Sequence, residues 1–197
     1  MNDATLEYYE ENSQTFVEST LSVNMSGFYS EFLSHVQPGG HILDLGCGSG
    51  RDSREFIKRG FRVTAIDGSP ALCQLAEQVI GQPVLQLQFQ DLSYQEEFDG
   101  IWACASLLHL PLQQIPDILK KIVDALKPNG VLYLSFKYGH FEGVRGGRYY
   151  TDLDESALST LIKDCGGLHI VKTWLTNDAR PESNDRWINM ICTNQAK

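Results

Sequence analysis

The chain has 197 residues, suited to one domain slightly above the usual size, and it is 42% hydrophobic and 10% aromatic, enough apolar material for a core. Sixteen basic against 25 acidic residues give a formal net charge of −9, which opposes long-range attraction to nucleic acid or an anionic membrane. The five cysteines, Cys47, Cys73, Cys104, Cys165 and Cys192, are odd in number and none are in C-x-x-C spacing, which argues against a disulfide framework or a zinc site. Met1-Asn2-Asp3-Ala4 does not start a basic and apolar signal segment, and the longest mostly apolar stretch, residues 101–110, is too short for a bilayer. A cytoplasmic protein with no membrane partner and no metal is therefore expected.

Leu6, Tyr9 and Phe16, then Met25, Phe28, Tyr29, Phe32, Leu33 and Val36, have helical spacing and predict two N-terminal segments, the second ended by Pro38-Gly39-Gly40. Strands and helices then alternate. Residues 41–45 read as a buried strand, a glycine loop follows, and residues 52–59 form a helix stopped by Gly60. Residues 61–66 are a second strand. Ser69 and Pro70 supply an N-cap and a first-turn proline for a helix with the apolar face Leu72, Leu75, Ala76 and Val79, closed by Gly81 and Pro83. Residues 84–89 and 100–105 are expected as the third and fourth strands. Ile115, Ile118, Leu119, Ile122 and Leu126 line a helix that Pro128-Asn129-Gly130 ends, and residues 131–136 make a fifth strand. After a helix over residues 152–165, strands at 169–176 and 186–193 are joined by a polar loop too short for a crossover, so they should be antiparallel neighbours. This order predicts an α/β fold, a Rossmann-like three-layer sandwich whose seven-stranded sheet is mainly parallel, with one antiparallel strand near the C-terminus.

The centre of the functional reading is Asp44-Leu45-Gly46-Cys47-Gly48-Ser49-Gly50, a strand end, three glycines at alternate positions and a helix start. Glycine permits a sharp turn and close approach of a ligand, and a helix start offers free N–H groups. In open α/β sheets ligands sit at the carboxyl ends of the strands, where this loop lies. A dinucleotide loop, G-x-G-x-x-G, would need glycine at position 51, which is Arg51. That spacing and Asp44 disfavour a nicotinamide-dependent oxidoreductase. An acid at the strand end suits a ligand with an amino group better than a pyrophosphate.

The D-x-G-x-G-x-G pattern resembles the first motif of class I S-adenosylmethionine-dependent methyltransferases, and the resemblance extends over residues 40–137. By that resemblance, Asp67 at the end of the second strand matches the acid that takes both ribose hydroxyls. Gln90-Asp91-Leu92 matches the segment that meets the adenine amino group, and residues 98–102 and 126–130 match the fourth strand and the turn before the fifth. The implied cofactor is S-adenosylmethionine. The residues implied to hold it are Tyr9, Asp44, Gly46, Cys47, Gly48, Gly50, Arg51, Asp67, Gly68, Asp91, Leu92, Ala105 and Ser106. The whole chain then reads as a single domain, with a helical lid over residues 1–40 carrying Tyr9, a cofactor-binding core over 41–137 and a substrate-side part over 138–197. Gly48-Ser49-Gly50-Arg51-Asp52 further resembles the tellurite-resistance-type and type 11 groups, whose acceptors range from metalloid oxyanions and quinones to modified tRNA bases.

On the acceptor side, His109 follows the fourth strand and is the candidate general base; the competing reading is a histidine packed against the cofactor. Lys137, Arg145 and Arg148 alternate with Tyr138, His140, Phe141, Tyr149 and Tyr150 in a cationic-aromatic loop expected to close over an acidic substrate. Lys137, Arg145, Arg148 and Tyr149 are its substrate-side candidates. Arg180, Arg186 and Trp187, on or beside the last hairpin, either join the pocket or form surface ion pairs and core packing, and Cys47 and Cys104 read as small buried residues. The expectation is a methyltransferase with a small polar or anionic acceptor. A tRNA-base methyltransferase and a non-catalytic cofactor-binding subunit are the alternatives.

Overall fold

A computed structural model describes residues 3–180 and 183–195. Met1 and Asn2 of the expected N-terminal segment, and residues 181–182 of the expected polar loop, lie outside the described residues. Two helices, α1 (Asp3–Thr20) and α2 (Ser26–Leu33), precede the sheet. The chain then runs β1 (His41–Leu45), α3 (Arg51–Lys58), β2 (Arg62–Asp67), α4 (Pro70–Ile80), β3 (Leu85–Gln86), β4 (Phe98–Ala103), α5 (Ile115–Ala125) and β5 (Leu126–Lys137). A hairpin of β6 (Glu142–Arg145) and β7 (Arg148–Thr151) follows, then α6 (Glu155–Cys165), β8 (Leu168–Asn177) and β9 (Arg186–Asn194). Among the described residues, the main sheet has seven strands in the order β3-β2-β1-β4-β5-β9-β8. β9 is antiparallel to both neighbours and the remaining pairings are parallel, the α/β architecture expected from the chain. No helix among the described residues is long and apolar enough to cross a membrane.

Strand periodicity builds two cores. Leu43, Leu45, Ile101, Ala103, Leu132 and Leu134 share one face with α5 and α6, meeting Ile118, Leu119, Ile122, Leu158 and Ile162. Their alternates Ile42, Trp102, Val131 and Tyr133 face the other way, onto Phe32 of α2 and Phe56 of α3. Trp102 and Tyr133 are register partners and stack with ring centroids 3.9 Å apart. Helix starts follow the local chemistry. The Ser69 hydroxyl accepts the Leu72 N–H at 3.2 Å ahead of α4, and Asp154 accepts the Ala157 N–H at 2.7 Å ahead of α6.

Four expectations change. The third strand, expected over 84–89, shrinks to β3, because this sheet edge pairs only with β2 and the chain instead turns through a 3₁₀ segment (Phe89–Asp91) that buries Phe89. The helix expected to include Leu126 ends at Ala125. Leu126 is already extended and pairs with Phe98, so Pro128-Asn129-Gly130 lies inside the irregular start of β5. The helix expected from residue 152 begins at Glu155, after its Asp154 cap. The cationic loop is the β6–β7 hairpin. Gly146 and Gly147 form its two-residue turn at φ +57° and +78°, the left-handed pair that matches the twist of the flanking strands.

Candidate active site

The carboxyl ends of β1, β2, β4 and β5 open into a cavity of about 520 Å³, roofed by α1 and flanked by β7 and the β8–β9 connection. Its volume is that of a small-molecule site. The glycine loop is fixed by backbone bonds. Gly46 and Cys47 donate N–H groups to the Ile66 carbonyl at 3.0 and 2.9 Å. Gly48 donates to Asp67 Oδ2 at 2.9 Å, and Ser69 donates to Asp67 Oδ1 at 2.9 Å. Asp67 is thus held on the cavity wall with both oxygens oriented, and burial raises its pKa above the ordinary carboxylate value. Gly46 has φ +82°, and a Cβ there would come within 2.7 Å of Ser106 Cβ. Beside it, the buried Ser106 hydroxyl has no hydrogen-bond partner among the described residues. Ala105, at φ +51° beyond the end of β4, donates its N–H to Ser135 Oγ at 2.9 Å. Phe16 of α1 lies over Gly48.

A charged network forms a further part of this wall. Arg51 donates to Asp52 at 2.6 and 3.0 Å, Tyr29 donates its hydroxyl at 2.6 Å, and Trp102 Nε1 donates at 2.8 Å. Burial works to raise the Asp52 pKa, but the Arg51 charge and these bonds outweigh it and hold the carboxyl below its usual range. Arg51 also reaches the Thr20 carbonyl at 3.4 Å, tying the loop to the end of α1. Asp44 has a different environment. It accepts the Ser53 hydroxyl at 2.6 Å and lies off the cavity wall, and burial with the nearby Asp52 charge raises its pKa.

His109 donates from Nδ1 to the Tyr149 carbonyl at 2.7 Å. That bond assigns the tautomer and leaves Nε2 to accept the Tyr9 hydroxyl at 3.0 Å. Burial lowers the His109 pKa to about 4 and raises that of Tyr9 to about 12. Both are neutral near pH 7. Because the folded pKa is depressed, the unfolded chain binds a proton here between about pH 4 and the ordinary histidine range while the folded chain does not. This contribution to stability is present above that range and is lost as pH falls through it. The ¹⁵N signals of His109 are accordingly expected to stay those of a neutral imidazole at pH 5; an imidazolium spectrum there would contradict the buried Tyr9–His109 bond.

The structure brings together Tyr9, Gly46, Cys47, Gly48, Arg51, Asp67, Ala105, Ser106, His109, Lys137 and Arg148. It leaves other candidates outside. Asp44, Gly50 and Gly68 lie off the wall. Asp91 is exposed and Leu92 is packed in the core, a result of the short β3 and the turn after it. Arg145 is held by Asp152 at 3.1 Å through both terminal nitrogens. Tyr149 donates its hydroxyl to Glu142 at 2.9 Å, and only its carbonyl serves the site, through His109. Strand alternation explains the exchange: Arg148 and Tyr150 of β7 face the cavity, and Tyr149 faces away. Tyr150, named in the cationic-aromatic loop but not among its substrate-side candidates, thus takes the place of Tyr149 on the cavity wall, and the Gly146-Gly147 dipeptide was the hairpin signal for that phase. Phe16, Asp52 and Ser135 also line the cavity without a sequence signature of their own. Burial raises the pKa of Cys47 and of Cys104, the latter to about 12, which keeps both wall thiols protonated.

A Rossmann-like sheet with this loop, acid and cavity defines a class, and comparison with known proteins agrees with it. Residues 42–130 match the family model "Methyltransferase domain". Over that segment the chain is similar to methyltransferases. It is 38% identical over 101 residues, 47% of its length, to the Bacillus subtilis (strain 168) protein named "Putative methyltransferase YqeM", of which the match covers 40%. It is 32% identical over 104 residues, 50% of its length, to the ubiquinone biosynthesis O-methyltransferase of Xanthomonas campestris pv. campestris (strain B100), of which the match covers 43%. The matches therefore span less than half the length of these relatives. The fold is shared with the Burkholderia thailandensis 1,6-didemethyltoxoflavin-N1-methyltransferase, solved with 1,6-didemethyltoxoflavin and S-adenosylhomocysteine, at a TM-score of 0.79 and 22% identity, covering 97% of this chain and 85% of that one. A Methanosarcina mazei S-adenosylmethionine-dependent methyltransferase gives 0.74 at 22% identity, covering 86% of this chain and 99% of that one.

Proposed function

We propose that this chain transfers a methyl group from S-adenosylmethionine to a small molecule. The observation that carries the reading is Asp67, a buried carboxylate oriented by two backbone N–H groups, on the wall of the cavity that also contains the tight Gly46 turn and the unpartnered Ser106 hydroxyl. These groups suit a ligand with neighbouring hydroxyls and a polar tail. Asp67 would take the ribose hydroxyls. The segment from Gly46 to Ser49, with Ala105 and Ser106, would face the remainder of the cofactor. When bound, the cofactor supplies an electrophilic methyl group on a sulfonium. The chain must then orient the acceptor and exclude water. Tyr9 and Phe16 of α1 cover that side of the cavity, which supports a lid role for the helix. Tyr133, Asn189, Lys137, Tyr150 and Trp187 also line the cavity and would be available to an acceptor. Relatives named for ubiquinone and toxoflavin methylation support an acceptor of small-molecule size.

Calorimetry should find S-adenosylhomocysteine binding in the micromolar range, about −7 to −8 kcal/mol. In the same samples, amide exchange of α1 should slow on binding. NADH binding without S-adenosylhomocysteine binding would overturn this reading.

A further inference from the structure

Among the described residues, four cationic side chains line the cavity: Arg51, Lys137, Arg148 and Arg180. Three have carboxylate partners. Arg51 is held by Asp52 at 2.6 Å, Lys137 by Asp185 at 2.5 Å and Arg180 by Asp178 at 2.6 Å. Asp67, the remaining carboxylate on the wall, is bound by backbone N–H groups. Arg148 has aromatic neighbours instead. Its guanidinium carbon lies 4.6 Å from the Tyr8 ring centre, 5.7 Å from that of Tyr9 and 5.4 Å from that of Tyr150. Its Nη1 donates weakly to the Tyr9 hydroxyl at 3.4 Å, and its Nε is buried with no hydrogen-bond partner. Its cross-strand neighbour Arg145 is already taken by Asp152.

Tyrosine faces stabilise a cation, but they do not satisfy its N–H groups. A partly desolvated guanidinium with an orphaned donor and no counter-ion is costly unless something in the cavity completes it. The group that matches a planar donor fork is a carboxylate. Arg148 shares the Tyr150 ring with Lys137, whose ammonium is 4.9 Å from that ring centre. Phe28, Tyr133 and Trp187 add aromatic wall to the same cavity.

We propose that Arg148 is a carboxylate receptor, so that the acceptor of the methyltransferase proposed above is a small, ring-bearing carboxylic acid docked through its anionic group. The inference rests on that reading only for the word acceptor; the anion site itself is separable from it. The cofactor's own carboxylate is the competing source of the same chemistry, and the test distinguishes the two.

The probes are benzoate and its neutral counterpart benzamide, titrated by ligand-observed NMR into the wild-type protein alone and in the presence of S-adenosylhomocysteine. Benzoate is expected to bind at least about tenfold more tightly than benzamide, the scale of one charge-assisted hydrogen bond. Arg148→Gln should remove the preference, and Arg148→Lys, which keeps the charge without the fork, should retain part of it. Both variants should bind S-adenosylhomocysteine within about twofold of wild type, a difference well under 1 kcal/mol. Equal binding of benzoate and benzamide by wild type would overturn the proposal. So would a tenfold or greater loss of S-adenosylhomocysteine affinity in folded Arg148→Lys, which would assign the guanidinium to the cofactor. Failure of wild type to bind S-adenosylhomocysteine would sink the methyltransferase reading instead, and the benzoate comparison on the protein alone would still decide the anion site.

Discussion

Asp52→Ala is expected to lower the unfolding free energy by about 3–5 kcal/mol, the usual cost of removing one partner from a buried ion pair. The substitution strands the Arg51 guanidinium and also takes the acceptor from Tyr29 and Trp102, which donate to the same carboxylate at 2.6 and 2.8 Å. Those donors come from α2, the start of α3 and β4, so one carboxylate ties three elements behind the glycine loop. Asp52→Asn should cost less, because one oxygen can still accept while the charge is lost. Urea unfolding of the two variants checks the order. A midpoint for Asp52→Ala within error of wild type would show that the network contributes little to stability.

Asp67→Asn is expected to weaken S-adenosylhomocysteine binding by about ten- to a hundredfold, the effect of losing one hydrogen bond to a charged acceptor at about 1.5–3 kcal/mol, since the amide keeps one accepting oxygen. The amide also places an NH₂ against either the Gly48 or the Ser69 N–H, so the loop should loosen. Calorimetry and thermal melting on the same variant separate binding from folding. Asp91→Asn serves as the control: its side chain is exposed and off the cavity wall, and its affinity should equal that of wild type. Parallel losses in the two variants would return Asp91 to the site, and an unaffected Asp67→Asn would remove Asp67 from it.

Legibility in the sequence followed the range of the interactions. The alternation of β1 to β5 with helices was readable because buried strands and amphipathic helices have their own periods, and the Ser69-Pro70 start of α4 is a short-range signal. The glycine loop and Asp67 were readable because their spacing is fixed by one strand–loop–helix–strand unit, β1 to β2. Tyr9 and His109 were each named from local context, but the bond between them joins residues 100 positions apart and has no pattern in the chain. The placement of Asp91 off the cavity wall follows from β3: apolar residues alternating with glutamines at 84–89 look like a strand, yet an edge position supplies one neighbour and Phe89 gains more by burial. The exchange of Tyr149 for Tyr150 is a matter of phase. Once Gly146-Gly147 is read as a two-residue turn, alternation places Arg148 and Tyr150 on one face and Tyr149 on the other.

β9 enters the sheet between β5 and β8, pairing from Val131↔Thr193 to Lys137↔Trp187 on one side and from Leu168↔Asn194 to Asn177↔Arg186 on the other. The parallel β1 to β5 portion can form in chain order from adjacent units. β5 nevertheless keeps an open edge, with unpaired backbone groups, until the β8–β9 hairpin arrives. The Thr5–Tyr149 bond that seats α1 against β7 spans 144 positions and needs a still longer closure. Loop entropy delays such pairings relative to local ones. The roof and flanks of the cavity, α1, β7 and the β8–β9 connection, therefore depend on the longest closures, and a chain stalled before that point presents the β5 edge to other chains. Refolding yield should be limited by association at that edge and should rise on dilution.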